Sequence, residues 1–110
     1  MLPVRKTTEK AWLVWVRRKR RQTIFDNAPP DLLVELESLV ESAGGLVKGG
    51  QTHLVTSEHP ATLIGKGTLE RLKETVREND VDLVVFQNLL RPKQQYLLEQ
   101  ELEVKVLDRR

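Results

Sequence analysis

Two apolar runs constrain the fold of this chain more than any other feature. Residues 11–16 read AWLVWV, and residues 81–86 read VDLVVF. Apart from Asp82, neither run alternates apolar with polar side chains, a pattern typical of strands that are covered on both faces. Such strands occur mainly in parallel sheets, whose crossover helices cover the faces. The two runs therefore predict an α/β protein with both strands at the centre of its sheet.

The segments between the runs change to a helical period. From Asp31 to Ala43, leucine and valine residues recur at spacings of three and four, and two glycines follow that can end a helix. A second helix is predicted over residues 68–79. A third begins near Pro92, because the first turn of a helix tolerates proline. These three segments predict the helices that connect the strands.

Two weaker strand patterns complete the series. Residues 46–55 are interrupted by Gly49 and Gly50, which indicate a kink or bulge, and residues 104–107 alternate as an edge strand does. The order β-α-β-α-β-α-β with right-handed crossovers predicts a small doubly wound sheet. We expect four parallel strands in the order 2-1-3-4, with helices on both faces.

Length and composition narrow the class further. The 110 residues suffice for one domain, which we place at residues 11–110 after a flexible arm at residues 1–10, and they exclude a multidomain enzyme. The absence of cysteine excludes disulfides, thiolate nucleophiles and cysteine zinc sites. No apolar run approaches the ~20 residues of a membrane span, so we expect no membrane partner and a cytoplasmic location.

Positive charge is concentrated near the start of the chain. Residues 1–30 hold eight basic and two acidic residues, whereas the remainder has a net charge of −4. In the predicted sheet, the segments after the first three strands all leave at the carboxyl edge, where ligands bind to such folds. These segments carry a set of cations that we call the basic rim: Arg17, Arg18, Lys19, Arg20, Arg21, Lys66 and Arg91.

The basic rim predicts a phosphate-bearing partner, either RNA backbone or the tail of a nucleotide. A solvated loop is the alternative for its run of arginines. Gly65, Lys66, Gly67 and Thr68 open the second helix, whose first backbone N–H groups are suited to a phosphate. These residues do not form a P-loop, because the upstream glycine and the Lys-Ser/Thr pair are missing. A plain helix-entry turn is equally compatible with them.

Histidine and tryptophan offer weaker signals. His53 and His59 have no evident third ligand and no serine or aspartate spaced for a triad, so we expect no metal site and no catalytic residue. Trp12 and Trp15 lie three positions apart on a strand and should face opposite sides of the sheet. Core packing is the expectation for both, with base stacking as the alternative, chiefly for Trp15.

Four further segments are distinctive: residues 61–72 (ATLIGKGTLERL), 82–86 (DLVVF), 90–98 (LRPKQQYLL) and 104–109 (VKVLDR). Together they resemble the N-terminal domain of the HflX family of ribosome-associated GTPases. The resemblance implies a four-stranded α/β domain that precedes a helical subdomain and a GTPase domain in full-length relatives. It also implies binding to the large ribosomal subunit and an adenine-nucleotide-dependent activity, with Gly65, Lys66 and Gly67 as the phosphate-facing turn.

Three functions remain open at this point. The first is an HflX-type module that binds ribosomal RNA or the large ribosomal subunit through the basic rim. The second is a nucleotide-binding domain that binds ATP and hydrolyses it weakly or not at all. Apart from ATP in this alternative, we expect no cofactor in this chain. The third is a scaffold for a separate GTPase domain. Because the chain contains no GTPase motif, we do not expect it to hydrolyse GTP.

Overall fold

The computed structural model describes residues 8–19 and 31–109. Within these ranges one parallel sheet contains four strands: β1 (Lys10–Arg18), β2 (Leu46–Val55), β3 (Leu83–Phe86) and β4 (Lys105–Asp108). The helices are α1 (Asp31–Ser42), α2 (Lys66–Glu78) and α3 (Pro92–Leu102). The strand order is β2-β1-β3-β4, which confirms the predicted doubly wound sheet. The arm predicted at the start of the chain lies largely outside the described residues.

Several boundaries differ from the predicted ones by one or two residues. Helix α2 begins at Lys66 instead of residue 68, because Gly65 is extended and acts as the N-cap. Strand β3 begins at Leu83, although the Asp82 backbone N–H still donates to the Lys10 carbonyl at 2.8 Å. Gly44 lies just after α1 and has a φ of +93°, the left-handed conformation that was predicted to stop this helix.

A bulge in β2 changes which face its side chains occupy. Ala11 pairs with Val47 but Trp12 pairs with Gly49, so Lys48 is the extra residue. Val47 consequently packs with α1, whereas Gly49 and the alternate residues after it face α2. The bulge predicted near Gly49 is therefore present, one residue earlier than the glycine pair.

The two faces of the sheet are packed unequally. Helices α2 and α3 cover one face over a large core that includes the fully buried Val14 and Phe86. The other face has a smaller core in which Leu36 of α1 packs with residues of β1 and β3. Helix α1 packs mainly on β1 and β2, and Leu107 of β4 remains 40% exposed on that face.

This asymmetry leaves part of the apolar stripe of α1 uncovered. Leu39 fits the helical period of that stripe, yet it is 55% exposed. Leu36, three residues earlier, is buried at 2% exposure. Leu39 lies on the side of α1 that faces β3 and β4, where no described helix packs beside α1.

No helix within the described ranges is long and apolar enough to cross a membrane.

Gly49 should be intolerant of any side chain. A Cβ atom there would lie 2.6 Å from the ring of Trp12, which is held between β2 and the α2 side of the core. We expect Gly49→Ala to lower the free energy of unfolding by about 1–3 kcal/mol, because the indole must shift in a packed layer. Urea unfolding followed by circular dichroism measures this change.

The matched control is Gly67→Ala, where a new Cβ atom meets nothing within 4 Å. That variant should be neutral or stabilised by up to about 1 kcal/mol, since alanine favours a helix more than glycine does. Equal stability of the Gly49 variant and the wild type would contradict the close packing of the tryptophan.

Candidate functional site

The carboxyl ends of β1, β2 and β3 lie at one edge of the sheet, because the strands are parallel. Lys19 follows β1 and its backbone N–H donates to the Val55 carbonyl at the end of β2, at 2.7 Å. Residues 56–65 and 87–91 then lead from this edge into α2 and α3. The described segments that carry residues of the basic rim therefore all lie at this edge of the sheet.

The cations of the basic rim do not all face the same way. Arg17 stacks on Trp15, with its Cζ atom 4.6 Å from the ring centroid, and both belong to the face that carries α1. Arg18 pairs in register with Val55, which packs on the α2 side. Lys19, Lys66 and Arg91 are exposed. Arg20 and Arg21 lie outside the described residues.

The two tryptophans occupy opposite faces, as the spacing predicts. Trp12 packs against the larger core and its Nε1–H donates to the Gln51 Oε1 atom at 3.2 Å. Trp15 is half-buried, belongs to neither core cluster and is covered in part by Arg17. The core interpretation therefore holds for Trp12, whereas Trp15 packs against a cation.

The turn that opens α2 leaves its first backbone N–H groups without a side-chain partner. Gly65 is the N-cap, with φ −72° and ψ 170°, and provides no side-chain hydrogen bond. The first turn contains no acidic residue. Gly65, Lys66 and Gly67 are exposed, and Cβ atoms built on the two glycines meet nothing within 4 Å. This geometry suits an anion, which the positive end of the helix dipole favours.

The loop before this turn is fixed by buried side chains. Leu63 adopts a left-handed conformation at φ +69° although it is not glycine, and its side chain is only 3% exposed. Its backbone exchanges two hydrogen bonds with His59, at 3.1 and 2.8 Å. Ile64 is fully buried, and the Thr62 hydroxyl donates to its carbonyl at 2.8 Å. The position of Gly65 is therefore set by the core.

Gln94 connects the loops that follow β2 and β3. Its Oε1 atom accepts from the Arg91 backbone N–H at 2.9 Å and its Nε2 atom donates to the Pro60 carbonyl at 3.1 Å. Gln95 instead donates to the Val106 carbonyl at 2.7 Å. From the sequence, these residues are equally compatible with hydrogen-bond donors near the basic rim and with a polar helix surface. The structure shows that Gln94 holds the starts of α2 and α3 in a fixed relation.

Two further polar residues occupy the point where the order of the strands reverses, between β1 and β3. Asn88 continues the sheet with its side chain, accepting from the Val16 N–H at 2.9 Å and donating to the Val16 carbonyl at 2.8 Å. Gln87 is 8% exposed and its Oε1 atom has no hydrogen-bond partner. Sequence analysis did not single out these residues, although a Gln-Asn pair directly after a buried strand was the available signal.

The two histidines have separate partners. His53 lies on β2 and contacts the Gln51 side chain, whereas His59 is exposed and accepts from the Ala61 backbone N–H at 3.2 Å. Burial, and secondarily the charge of Arg71, lowers the pKa of His53 from its ordinary value. In residues 8–19 and 31–109, no group of three histidine or carboxylate side chains is placed to hold a metal.

Comparison with known proteins defines the class to which this domain belongs. A family model described as "GTP-binding GTPase N-terminal" matches residues 31–110. The chain therefore belongs to the GTP-binding GTPase N-terminal family. The match includes the Gly65 turn, α3 and β4, which are the segments that carried the predicted resemblance.

Individual relatives show which GTPases this domain is similar to. The chain is 44% identical over 78 residues to the GTPase HflX of Thermofilum pendens, with 71% of this chain and 18% of that protein covered. It is 42% identical over 79 residues to the GTPase HflX of Thermococcus kodakarensis, with 68% and 17% covered. These matches confirm the predicted resemblance to an HflX N-terminal domain. The chain spans less than a fifth of the length of either relative.

Solved structures support the fold alone. Crystal structures of two SsGBP mutation variants superpose with a TM-score of 0.63 at 20% sequence identity. In each comparison the matched region includes 92% of this chain and 29% of the SsGBP chain.

The shifted pKa of His53 has a consequence for stability. Because its folded pKa lies below the unfolded value of about 6.5, the unfolded state binds more protons near that pH. The free energy of unfolding should therefore fall as the pH drops from about 7.5 to about 5.5. We expect His53→Gln to flatten this dependence in urea titrations.

His59→Gln is the matched control, because it also removes one imidazole, but from an exposed position. It should keep the wild-type slope between about pH 5.5 and about pH 7.5. The same slope in both variants would show that His53 is not responsible. The paired carboxylate of Asp80 does not interfere, since its pKa is lowered by Lys10 and it titrates at more acidic pH.

Proposed function

We propose that this domain is the RNA-binding module of an HflX-type GTP-binding protein, with ribosomal RNA of the large subunit as its partner. The observation that carries this proposal is the arrival of Arg18, Lys19, Lys66 and Arg91 at one edge of the sheet by way of three different strands. Cations delivered by fixed backbone, beside an uncapped helix N-terminus, suit the regularly spaced phosphates of an RNA strand.

The charge balance at this edge supports the same proposal. In the described segments 17–19, 56–67 and 87–91, the acidic residue is Glu58, against five basic residues. Arg17, held over the ring of Trp15, adds a flat cationic surface on which an unstacked base can lie. Phosphate contacts would provide the affinity, and stacking would favour single-stranded segments over duplex.

The relatives are named GTPase HflX, and we propose that this domain acts with a GTPase domain in one cytoplasmic assembly. This chain contains no GTPase motif of its own, so its contribution is binding. An edge that docks on RNA would position a GTPase domain against the ribosome. The role is therefore one of recognition, with hydrolysis left to the other domain.

A second candidate function is the binding of a nucleotide such as ATP at the α2 N-terminus. The observation that favours it is the open, uncapped turn at Gly65, Lys66, Gly67 and Thr68. Weak or no hydrolysis is expected of this candidate, because phosphoryl transfer normally requires a held metal ion and the described segments 17–19, 56–67 and 87–91 contain one carboxylate, Glu58, and no pair.

RNA binding can be tested through its dependence on salt. A short fluorescein-labelled single-stranded RNA should bind the full chain with an affinity that falls steeply between about 50 and about 200 mM salt. Replacing Arg18, Lys19 and Lys66 together by alanine should reduce the slope of log affinity against log salt by about 2, since each lost phosphate contact removes roughly 0.7. Fluorescence anisotropy provides the measurement.

The control variant carries alanine at Lys48, Arg77 and Lys105, which lie toward the opposite edge of the sheet. It changes the net charge by the same amount and should keep the wild-type slope. Equal slopes for the two triple variants would contradict the proposed edge. A change in Trp15 fluorescence on addition of submillimolar ATP, without RNA binding, would instead support the nucleotide candidate.

A further inference from the structure

The two outer strands of the sheet differ in length and charge. Strand β4, at one side, has four residues, which include Lys105 and Asp108. Strand β2, at the other side, has ten residues with the sequence LVKGGQTHLV. An outer strand exposes backbone groups that can pair with another chain, and proteins protect it by short length, charge or proline. Strand β4 is short and charged, whereas β2 after Lys48 contains no proline, lysine, arginine or carboxylate.

Hydrogen bonds to β1 show which backbone groups of β2 point away from the sheet. The Lys19 N–H donates to the Val55 carbonyl at 2.7 Å, so the backbone polar groups of Val55 point toward β1. The pairing is regular from Gly49 to Val55, and these groups alternate in direction along a strand. Those of Gly50, Thr52 and Leu54 therefore point outward. All three residues are exposed, and no described strand pairs with this side of β2.

The spacing of these three residues is self-complementary. In an antiparallel pair of two β2 strands centred on Thr52, that residue lies opposite its own equivalent. Gly50 of each copy then lies opposite Leu54 of the other. Because all three residues direct both backbone groups outward, each of these pairs can exchange two N–H···O=C hydrogen bonds, as the narrow pairs of an antiparallel ladder do. The register therefore satisfies the outward backbone groups of both copies at once.

The side chains also fit this register. Leu54 is 57% exposed and would lie over the backbone of Gly50, which presents no side chain. Glycine inside a strand often marks a place where another backbone approaches closely. Two threonines that face each other can hydrogen-bond, and on the opposite face Gln51 would lie across from His53. No pair in the register sets two lysine, arginine or carboxylate side chains against each other.

We propose that β2 pairs with β2 of a second copy of this chain, antiparallel and centred on Thr52, so that two copies share one continuous sheet. A second copy is the partner that fits, because each chain supplies the glycine that the leucine of the other covers, as a two-fold interface requires. A single strand pair buries a small area, so the dimer should be weak. The basic rim contains no residue of β2, so this proposal and RNA binding can fail independently.

Sedimentation velocity of the full chain tests the proposal, over concentrations from about 10 μM to about 1 mM, the range of weak association. The wild type should pass from monomer to dimer. Thr52→Lys sets two ammonium groups against each other and should weaken association by about tenfold or more. Leu46→Lys is the matched control, because it adds the same charge to β2 at a 49% exposed position outside the paired segment. It should associate as the wild type does. Circular dichroism verifies that both variants fold.

A mixing experiment tests the register itself. Thr52→Glu alone should also associate weakly, since it sets two carboxylates against each other. An equimolar mixture of Thr52→Lys and Thr52→Glu should recover at least the wild-type association, because lysine then faces glutamate across the axis. A wild type that stays monomeric at every concentration would overturn the proposal. So would equal association of Thr52→Lys and the wild type, or a mixture that associates no more than its separate components.

Discussion

Parallel pairing of β1 with β3 is the constraint on which the rest of this domain depends. The register sets Ala11 against Leu83 and Val14 against Phe86, and the chain leaves both strands at the same edge. Asn88 extends the pairing with its side chain after β3 has ended. Since β2 adds to the other side of β1 in the same direction, the segments after all three strands meet at one edge. The proposed RNA surface is a consequence of this connectivity, which brings together cations that are far apart in the sequence.

The predictions from sequence succeeded where the signal was local and repeated. Strands β1 and β3 are buried on both faces, and for that reason their sequences are unbroken apolar runs. The helical period indicated α1, α2 and α3. With these elements located, the strand order followed from general rules of connection. The bulge in β2 was predictable from Gly49, although its extra residue, Lys48, was not. The glycine indicates that the backbone of β2 passes close to the Trp12 ring. It does not indicate which adjacent residue of β2 has no partner in β1.

The failures concern contacts between distant parts of the chain. Leu39 fits the apolar period of α1, but the period cannot indicate that α1 covers only part of its face of the sheet. Gln94 looks like helix surface until the loop that contains Pro60 is placed beside it. Gln87 and Asn88 are held in place by hydrogen bonds to β1, which lies some 70 residues earlier in the chain. Sites that depend on such contacts need the fold before they can be assigned.

The domain thus has two surfaces of opposite character. The carboxyl edge of the sheet is basic and polar, and it leads into an uncapped helix, whereas a groove beside α1 is lined mainly by apolar residues.

The central claim is that the carboxyl edge is the surface that contacts RNA. Hydrogen–deuterium exchange of the full chain, with and without an excess of large-subunit ribosomal RNA, tests it most directly. The account predicts slower exchange of the backbone amides at residues 66–68 and 87–91 when RNA is bound, with no change in α1. Slower exchange confined to α1 or to the amino ends of the strands, with residues 66–68 unaffected, would contradict it.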